Sequence, residues 1–78
     1  MTVEQILRAI SSGLVQYSPI TGQAYLPTQG TVPATMVRYL SAAGLLSITG
    51  LAIGGMQWVG LTDTGWAEVY RYDEAVAA

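Results

Sequence analysis

The segment from Tyr39 to Thr62 contains no charged residue, and this uncharged run restricts the possible folds more than any other feature. It is long enough to cross a lipid bilayer as a helix, and Gly50 and Gly54 have the GxxxG spacing of paired membrane helices. Basic residues barely flank it, and apolar residues alternate in its second half, as in a strand. Polar and turn-forming residues interrupt it at Ser41, Gly44, Ser47, Thr49, Gly50, Gly54, Gly55, Gln57 and Gly60. We therefore favour strands and keep a small single-span membrane protein as a second alternative.

Length and charge place the chain among small globular domains. Its 78 residues predict a single domain, 1–78, at a size where burial is just sufficient for folding, and 51% of them are hydrophobic. The sequence has three arginines, no lysine, no histidine and five acidic residues, which gives a net charge of -2. A nucleic-acid binder usually has a basic stripe that displaces counterions from phosphates, and this sequence has none. Few charges beside so much apolar area indicate surface covered by a partner or a second copy.

The N-terminal residues predict an amphipathic helix. Thr2 and Gln5 have the spacing of a capping box, and Gly13 is a natural C-terminal stop. This start lacks the basic region and apolar run of a signal peptide, so we expect a cytoplasmic protein. The apolar residues at helical spacing, which predict the buried face, are Val3, Ile6, Leu7 and Ile10.

Residues 14–17 and 23–26 flank the turn-forming residues 18–22. This pattern predicts a short N-terminal β-hairpin, with Tyr17 and Tyr25 packed against each other across it. The next segment, Pro27–Thr31, is rich in turn formers and is expected to be a connection.

A second helix is predicted to open at Thr31 or Val32 and to end at Gly44. Pro33 would then lie in its first turn, where a missing amide costs nothing. The residues expected to face the core are Met36, Val37 and Leu40. Those expected to point elsewhere are Thr35, Arg38, Tyr39 and Ala42.

The C-terminal half predicts two strands and a third helix. Leu45–Thr49 and Met56–Leu61 are the strands, joined by a loop at Gly50–Gly55. Thr62 is expected to cap a helix that runs to about Val76. The residues predicted on the inner side of that helix are Trp66, Val69, Tyr70 and Val76.

Two short motifs lie in this half of the chain. Ala34–Leu40 runs into the tripeptide at 44–46, Gly-Leu-Leu, and residues 61–65 read Leu-Thr-Asp-Thr-Gly. Together they resemble the recognition helix, wing entry and LTxxG step of MarR-type and related winged-helix regulators, over roughly Pro33–Val69. The resemblance implies a small winged-helix-like α+β domain, with three helices, the N-terminal hairpin and a wing hairpin. In that family the leucine packs under the sheet, the threonine caps the next helix and the glycine permits close packing.

The resemblance also implies an alternative function, a dimeric DNA-binding transcriptional regulator that would use Thr35, Arg38 and Tyr39. The helix carries one cation, Arg38, and the wing carries no charge. A hairpin at 18–22 also replaces the helix that precedes the recognition helix in the family. Because affinity for DNA depends on cations at the phosphates, we prefer protein binding to DNA binding.

The predicted wing tip is the most informative local feature. It presents Leu51 and Ile53, followed by Met56, although turn tips are normally polar. These residues either fold back into the core or form, with Arg38 and Tyr39, a contact for another protein or a second copy. The second interpretation predicts a non-enzymatic protein-interaction module. Its size would suit a phage or mobile-element protein that inhibits or modulates a host complex.

Catalytic and cofactor chemistry is not expected from this sequence. Histidine, cysteine and lysine, the usual bases and nucleophiles, are missing. Asp73 and Glu74 are adjacent on a helix and diverge, and no set of oxygen ligands has the spacing of a metal site. We therefore expect no catalytic residue, cofactor, metal or small-molecule substrate.

Overall fold

A computed structural model describes residues 2–13, 15–27 and 30–77, with the side chains at 51–53, 76 and 77 left aside. Within these ranges it confirms an α+β protein with three helices and one five-stranded antiparallel sheet. The elements in chain order are α1 (Val3–Ser11), β1 (Val15–Tyr17), β2 (Ala24–Leu26), β3 (Gly30–Val32), α2 (Ala34–Ala42), β4 (Leu46–Ile53), β5 (Met56–Leu61) and α3 (Asp63–Ala77).

The sheet has the strand order β3-β2-β1-β5-β4, so β3 and β4 lie at its edges. Side chains alternate between its two faces, as in any strand. One face packs against the helices. The buried strand residues of this core are Val15, Ala24, Leu26, Val32, Leu46 and Val59, and the helices contribute Ile6, Leu7, Ile10, Val37, Leu40 and Val69. The opposite face carries one cross-strand row of Thr31, Tyr25, Gln16, Trp58 and Thr49.

The predicted capping box of α1 is confirmed. The backbone amide of Gln5 donates to the Thr2 hydroxyl at 3.2 Å, and the backbone amide of Thr2 donates to the side-chain carbonyl oxygen of Gln5 at 2.8 Å. The helix ends at Ser11, and Gly13 follows its C-cap residue Ser12 with a φ of 88°, in the left-handed region.

Two details of the N-terminal half differ from expectation. Tyr17 is paired with Ala24, whereas Tyr25 is paired with Gln16, so the two tyrosines point to opposite faces and are not a packing pair. The predicted connection at 27–31 was also wrong in part, because residues 30–32 form β3 along the outer side of β2.

The second helix begins later than predicted, at Ala34, and Pro33 occupies its N-cap position in an extended conformation. Its C-terminal end is as expected. The Gly44 amide donates to the Ser41 carbonyl and the Leu45 amide to the Leu40 carbonyl, both at 3.0 Å, with Gly44 at a φ of 76°. This is a Schellman arrangement, and it stops the helix by satisfying two of its last carbonyls.

The predicted loop at Gly50–Gly55 is mostly strand. β4 continues to Ile53, and the turn consists of Gly54 and Gly55. The register shifts between Thr49 and Ile53, where Gly50 has a φ of 91° and its carbonyl accepts a hydrogen bond from the Gln57 side chain at 3.1 Å. A bulge therefore lengthens β4 relative to β5.

The face of the third helix that packs against the core differs from the predicted one. Val69 is buried as expected, but Trp66 and Tyr70 are exposed, and Tyr72 packs against the core instead. The buried side of α3 begins at Gly65, where a Cβ atom would overlap the carbonyl oxygen of Leu45. Val76, also predicted inside, has a side chain outside the described residues.

The uncharged run from Tyr39 to Thr62 is divided among α2, β4 and β5. None of the helices in the described ranges has the length and apolar character needed to cross a membrane.

Candidate functional site

A cleft of about 360 Å³ lies between α2 and the turn that joins β1 to β2. We call it the α2 cleft. One wall is a single stripe of α2, and the other is the turn, with side chains of β1 and β4 between them. Its lining residues are Tyr17, Pro19, Ile20, Thr21, Gly22, Ala34, Val37, Arg38, Ser41 and Ile48.

The turn wall is held by hydrogen bonds within the segment 18–23. The Gly22 amide donates to the Ser18 carbonyl at 2.8 Å, and the Ser18 amide donates to the Gln23 carbonyl at 2.9 Å. The Ser18 hydroxyl is buried and accepts from the Thr21 amide at 3.3 Å. These bonds leave the Ile20 side chain 88% exposed at the rim of the cleft.

Glycine at position 22 lets the turn approach α2. Gly22 has a φ of 77°, and a Cβ atom there would lie 3.2 Å from the Cβ of Ala34. The small residues on both sides therefore bring the turn close to α2.

The helix wall carries the cation of the cleft. Ala34, Val37, Arg38 and Ser41 follow each other at helical spacing, so they share one stripe of α2. Arg38 is exposed, and within the described part of the chain it makes no ion pair.

The other two arginines are already engaged. Arg8 donates to Asp73 at 2.7 Å and to Glu4 at 3.3 Å, which joins α1 to α3. The hydrogen bond to Asp73 raises the pKa of Arg8 above its ordinary value. Arg71 pairs with Glu68, whose hydrogen bond raises the pKa of Arg71.

The arrangement offers a single guanidinium, hydroxyl groups and exposed apolar surface. A guanidinium binds carboxylates through paired hydrogen bonds. Val37 is buried at the cleft and Ile48 is half-buried, while Ile20 stands at the rim. These groups suit a ligand that places an acidic group beside an apolar one.

The residues predicted from sequence divide into three groups. Arg38 lines the α2 cleft, whereas Tyr39 and Thr35 are exposed on α2 outside its lining. Met56 is half-buried at the start of β5 and does not line the cleft. Leu51 and Ile53 belong to β4 by their backbone, but their side chains lie outside the described residues.

Ile20 was missed by sequence analysis, although its place between Pro19 and Gly22 in a tight turn could have indicated exposure. A second surface on α3 was also missed. There the rings of Trp66 and Tyr70 stack with centroids 6.0 Å apart and planes 29° from parallel.

We call this surface the α3 stripe: Asp63, Trp66, Ala67 and Tyr70, which line an open groove of about 380 Å³. Asp63 is exposed and, among the described residues, forms no ion pair. The stripe therefore joins a carboxylate to two aromatic faces.

No group of three or more acidic side chains in the described ranges comes together as a metal site would require. Comparison of the chain with protein families, with curated proteins and with solved structures finds no match.

Proposed function

We propose that the protein is a non-enzymatic protein-interaction module, and that the α2 cleft binds a segment of a partner protein in which an acidic residue lies beside an apolar one. The observation that carries the proposal is the pairing of Arg38 with Ile20 at one cleft. Arg38 has no ion pair within the described residues, and Ile20 is 88% exposed next to it.

An exposed apolar side chain beside an available arginine is typical of protein-binding surfaces, where arginine is enriched among the residues that contribute most to affinity. The turn that presents Ile20 is held by its own hydrogen bonds. A preorganised wall loses little conformational entropy on binding, which favours affinity.

We further propose that the scaffold is winged-helix-like. The order of α2, β4, β5 and α3 agrees with a recognition helix, a two-stranded wing and a following helix. The Thr62 hydroxyl accepts from the Gly65 amide at 3.0 Å and donates to the Gly44 carbonyl, so it joins the two motifs that carry the resemblance.

DNA binding is the second candidate function, because Thr35, Arg38 and Tyr39 are exposed together on α2. The charge distribution supports it less than protein binding. Arg8 and Arg71 are neutralised by acidic neighbours, which leaves Arg38 to contact phosphate. One phosphate contact corresponds to a salt slope of about -0.9 and gives little affinity.

The first test is fluorescence anisotropy with mixed-sequence duplex DNA at about 20 mM and about 150 mM salt. We expect no binding at either salt concentration. Salt-sensitive binding that is lost in Arg38→Ala but retained in Arg71→Ala would favour the regulator over the interaction module.

The second test is selection of peptides from a displayed random library on the purified protein. We expect enriched peptides to contain an acidic residue next to an apolar one. Their binding should fall at least tenfold in Arg38→Ala and in Ile20→Asp, and it should be unchanged in Arg71→Ala. Enrichment no higher than on an unrelated small domain would contradict the proposal.

A further inference from the structure

The α3 stripe has the chemistry of a site for a basic side chain. A cation over an aromatic face is attracted by the negative electrostatic potential of that face, and a carboxylate nearby adds direct attraction. Trp66 is 38% exposed and Tyr70 is 59% exposed, so each of the two stacked rings leaves part of its surface open to a ligand. Among the described residues, those that line this groove include one acid and no base.

The chain itself contains a side chain that fits this site. It has no lysine and no histidine, and its arginines are Arg8, Arg38 and Arg71. Arg8 and Arg71 are held in ion pairs, and Arg71 also lies 5.7 Å from the ring centroid of Tyr72. Arg38 is therefore the available guanidinium in the described part of the chain.

The same elimination applies to the acidic residues. Glu4 and Asp73 pair with Arg8, and Glu68 pairs with Arg71. Of the two remaining acids, Asp63 lies in the groove beside the stacked rings, whereas Glu74 does not line it.

We infer that the α3 stripe of one copy binds Arg38 of a second copy. Charge complementarity between the two surfaces carries this inference, since each offers the unpaired charge that the other lacks. The inference rests on the proposed function in one respect, because it uses the same exposed Arg38.

Such a contact is head-to-tail. The two surfaces differ, so a dimer retains a free Arg38 on one copy and a free α3 stripe on the other. Assembly therefore continues past the dimer as concentration rises. The contact is small and exposed, and its dissociation constant should lie at about 0.1–1 mM.

Sedimentation equilibrium of the full chain tests this, at concentrations from about 2 µM to about 2 mM, which bracket the expected constant. At the low end we expect the monomer mass of 8.3 kDa. The average mass should rise past that of a dimer at the high end. A monomer at every concentration would overturn the inference.

Two variants that each remove one side-chain charge locate the contact. Arg38→Gln retains the α3 stripe, and Asp63→Asn retains Arg38, so each should be monomeric alone. Mixed in equal amounts they should form a complex that stops at one copy of each, because only one intact contact remains. Association of either variant alone at the wild-type level would place the contact elsewhere and overturn the inference.

Matched controls exclude general effects. Glu74→Gln removes the other acid of α3 that forms no ion pair among the described residues, and it should associate as the wild type does. Trp66→Ala should weaken association at least fivefold, whereas Trp58→Ala, which truncates a similarly exposed tryptophan on the sheet, should not. An equal loss in Trp58→Ala and Trp66→Ala would count against the α3 stripe.

The result can be separated from that of the proposed function. If the inference is wrong, selected peptides still bind the wild type and Asp63→Asn alike. If the proposed function is wrong, no peptide depends on Arg38 while the mixed variants still form their complex.

Discussion

Gly65 lies where α3 approaches the backbone of Leu45, just before β4. A Cβ atom at this position would overlap the carbonyl oxygen of Leu45 and would lie 3.2 Å from a methyl group of Leu61. Alanine normally stabilises a helix relative to glycine by about 1 kcal/mol. Here overlap with a backbone atom outweighs that gain because the backbone cannot move aside without separating α3 from the strand.

We therefore expect Gly65→Ala to lower the free energy of unfolding by about 2–3 kcal/mol, measured from urea denaturation. Gly60→Ala is the matched control. It adds the same methyl group in β5, where no atom of the described residues lies within 4 Å and the φ is not positive, so its effect should stay within about 0.5 kcal/mol. Equal stability of the two variants would show that the close approach is absent.

Thr62 joins the end of α2 to the beginning of α3. Its hydroxyl accepts from the Gly65 amide and donates to the Gly44 carbonyl, and its own amide donates to the Leu45 carbonyl at 3.2 Å. Valine has the same shape but no hydroxyl, so Thr62→Val loses the two side-chain bonds alone.

We expect Thr62→Val to cost about 1–2 kcal/mol of stability by thermal or urea denaturation, as the loss of a helix cap does. Thr62→Ser keeps the hydroxyl and should lose less than half as much. A valine variant as stable as the wild type would mean that the hydroxyl bonds contribute nothing.

At the scale of elements, the β4–β5 hairpin depends on its two-residue turn. Gly54 and Gly55 have φ values of 62° and 81°, both in the left-handed region. Such primed turns match the twist of the strands they join, and they prefer asparagine followed by glycine.

Gly54→Asn should therefore retain wild-type stability, whereas Gly54→Val should destabilise by about 1–2 kcal/mol because a β-branched residue is strained at positive φ. Amide hydrogen exchange of β5 residues measures the effect locally. Equal exchange in the asparagine and valine variants would contradict the assignment of the turn.

At the scale of the whole molecule, one core connects all three helices to one face of the sheet. Leu40 is completely buried in it, and its neighbour Tyr39 is 63% exposed. A chain of this size has only a few kcal/mol of net stability. Removal of one large core side chain therefore affects the entire domain.

Leu40→Ala should lower the free energy of unfolding by about 2–5 kcal/mol. Much of the protein should then be unfolded at 25 °C, as measured by circular dichroism. The free energy of unfolding of Tyr39→Ala should lie within about 0.5 kcal/mol of the wild-type value, because the Tyr39 side chain is mostly in solvent. A cooperative wild-type-like transition in Leu40→Ala would show that the core does not depend on this residue.

Local signals were sufficient for several features of this protein. The capping box of Thr2, the glycine stops at Gly13 and Gly44, and the cap at Thr62 each depend on hydrogen bonds between residues close in sequence. The α+β class followed from the same signals, since helical and alternating patterns differ in period. Among the candidate site residues, the exposure of Arg38 and Tyr39 was predicted from the helical spacing of α2.

Tertiary contacts decided the features that the sequence left open or predicted wrongly. β3 has three residues, too few for a periodic signal, and its existence depends on pairing with β2. The inner side of α3 depends on Gly65, which lets the helix approach Leu45. The face of α3 with Gly65, Val69 and Tyr72 therefore packs against the core. The aromatic pair of the other face, Trp66 and Tyr70, is left in solvent. Helical periodicity alone does not tell which of these two faces of α3 is buried. It shows which residues share a face, but it does not show how closely that face can pack.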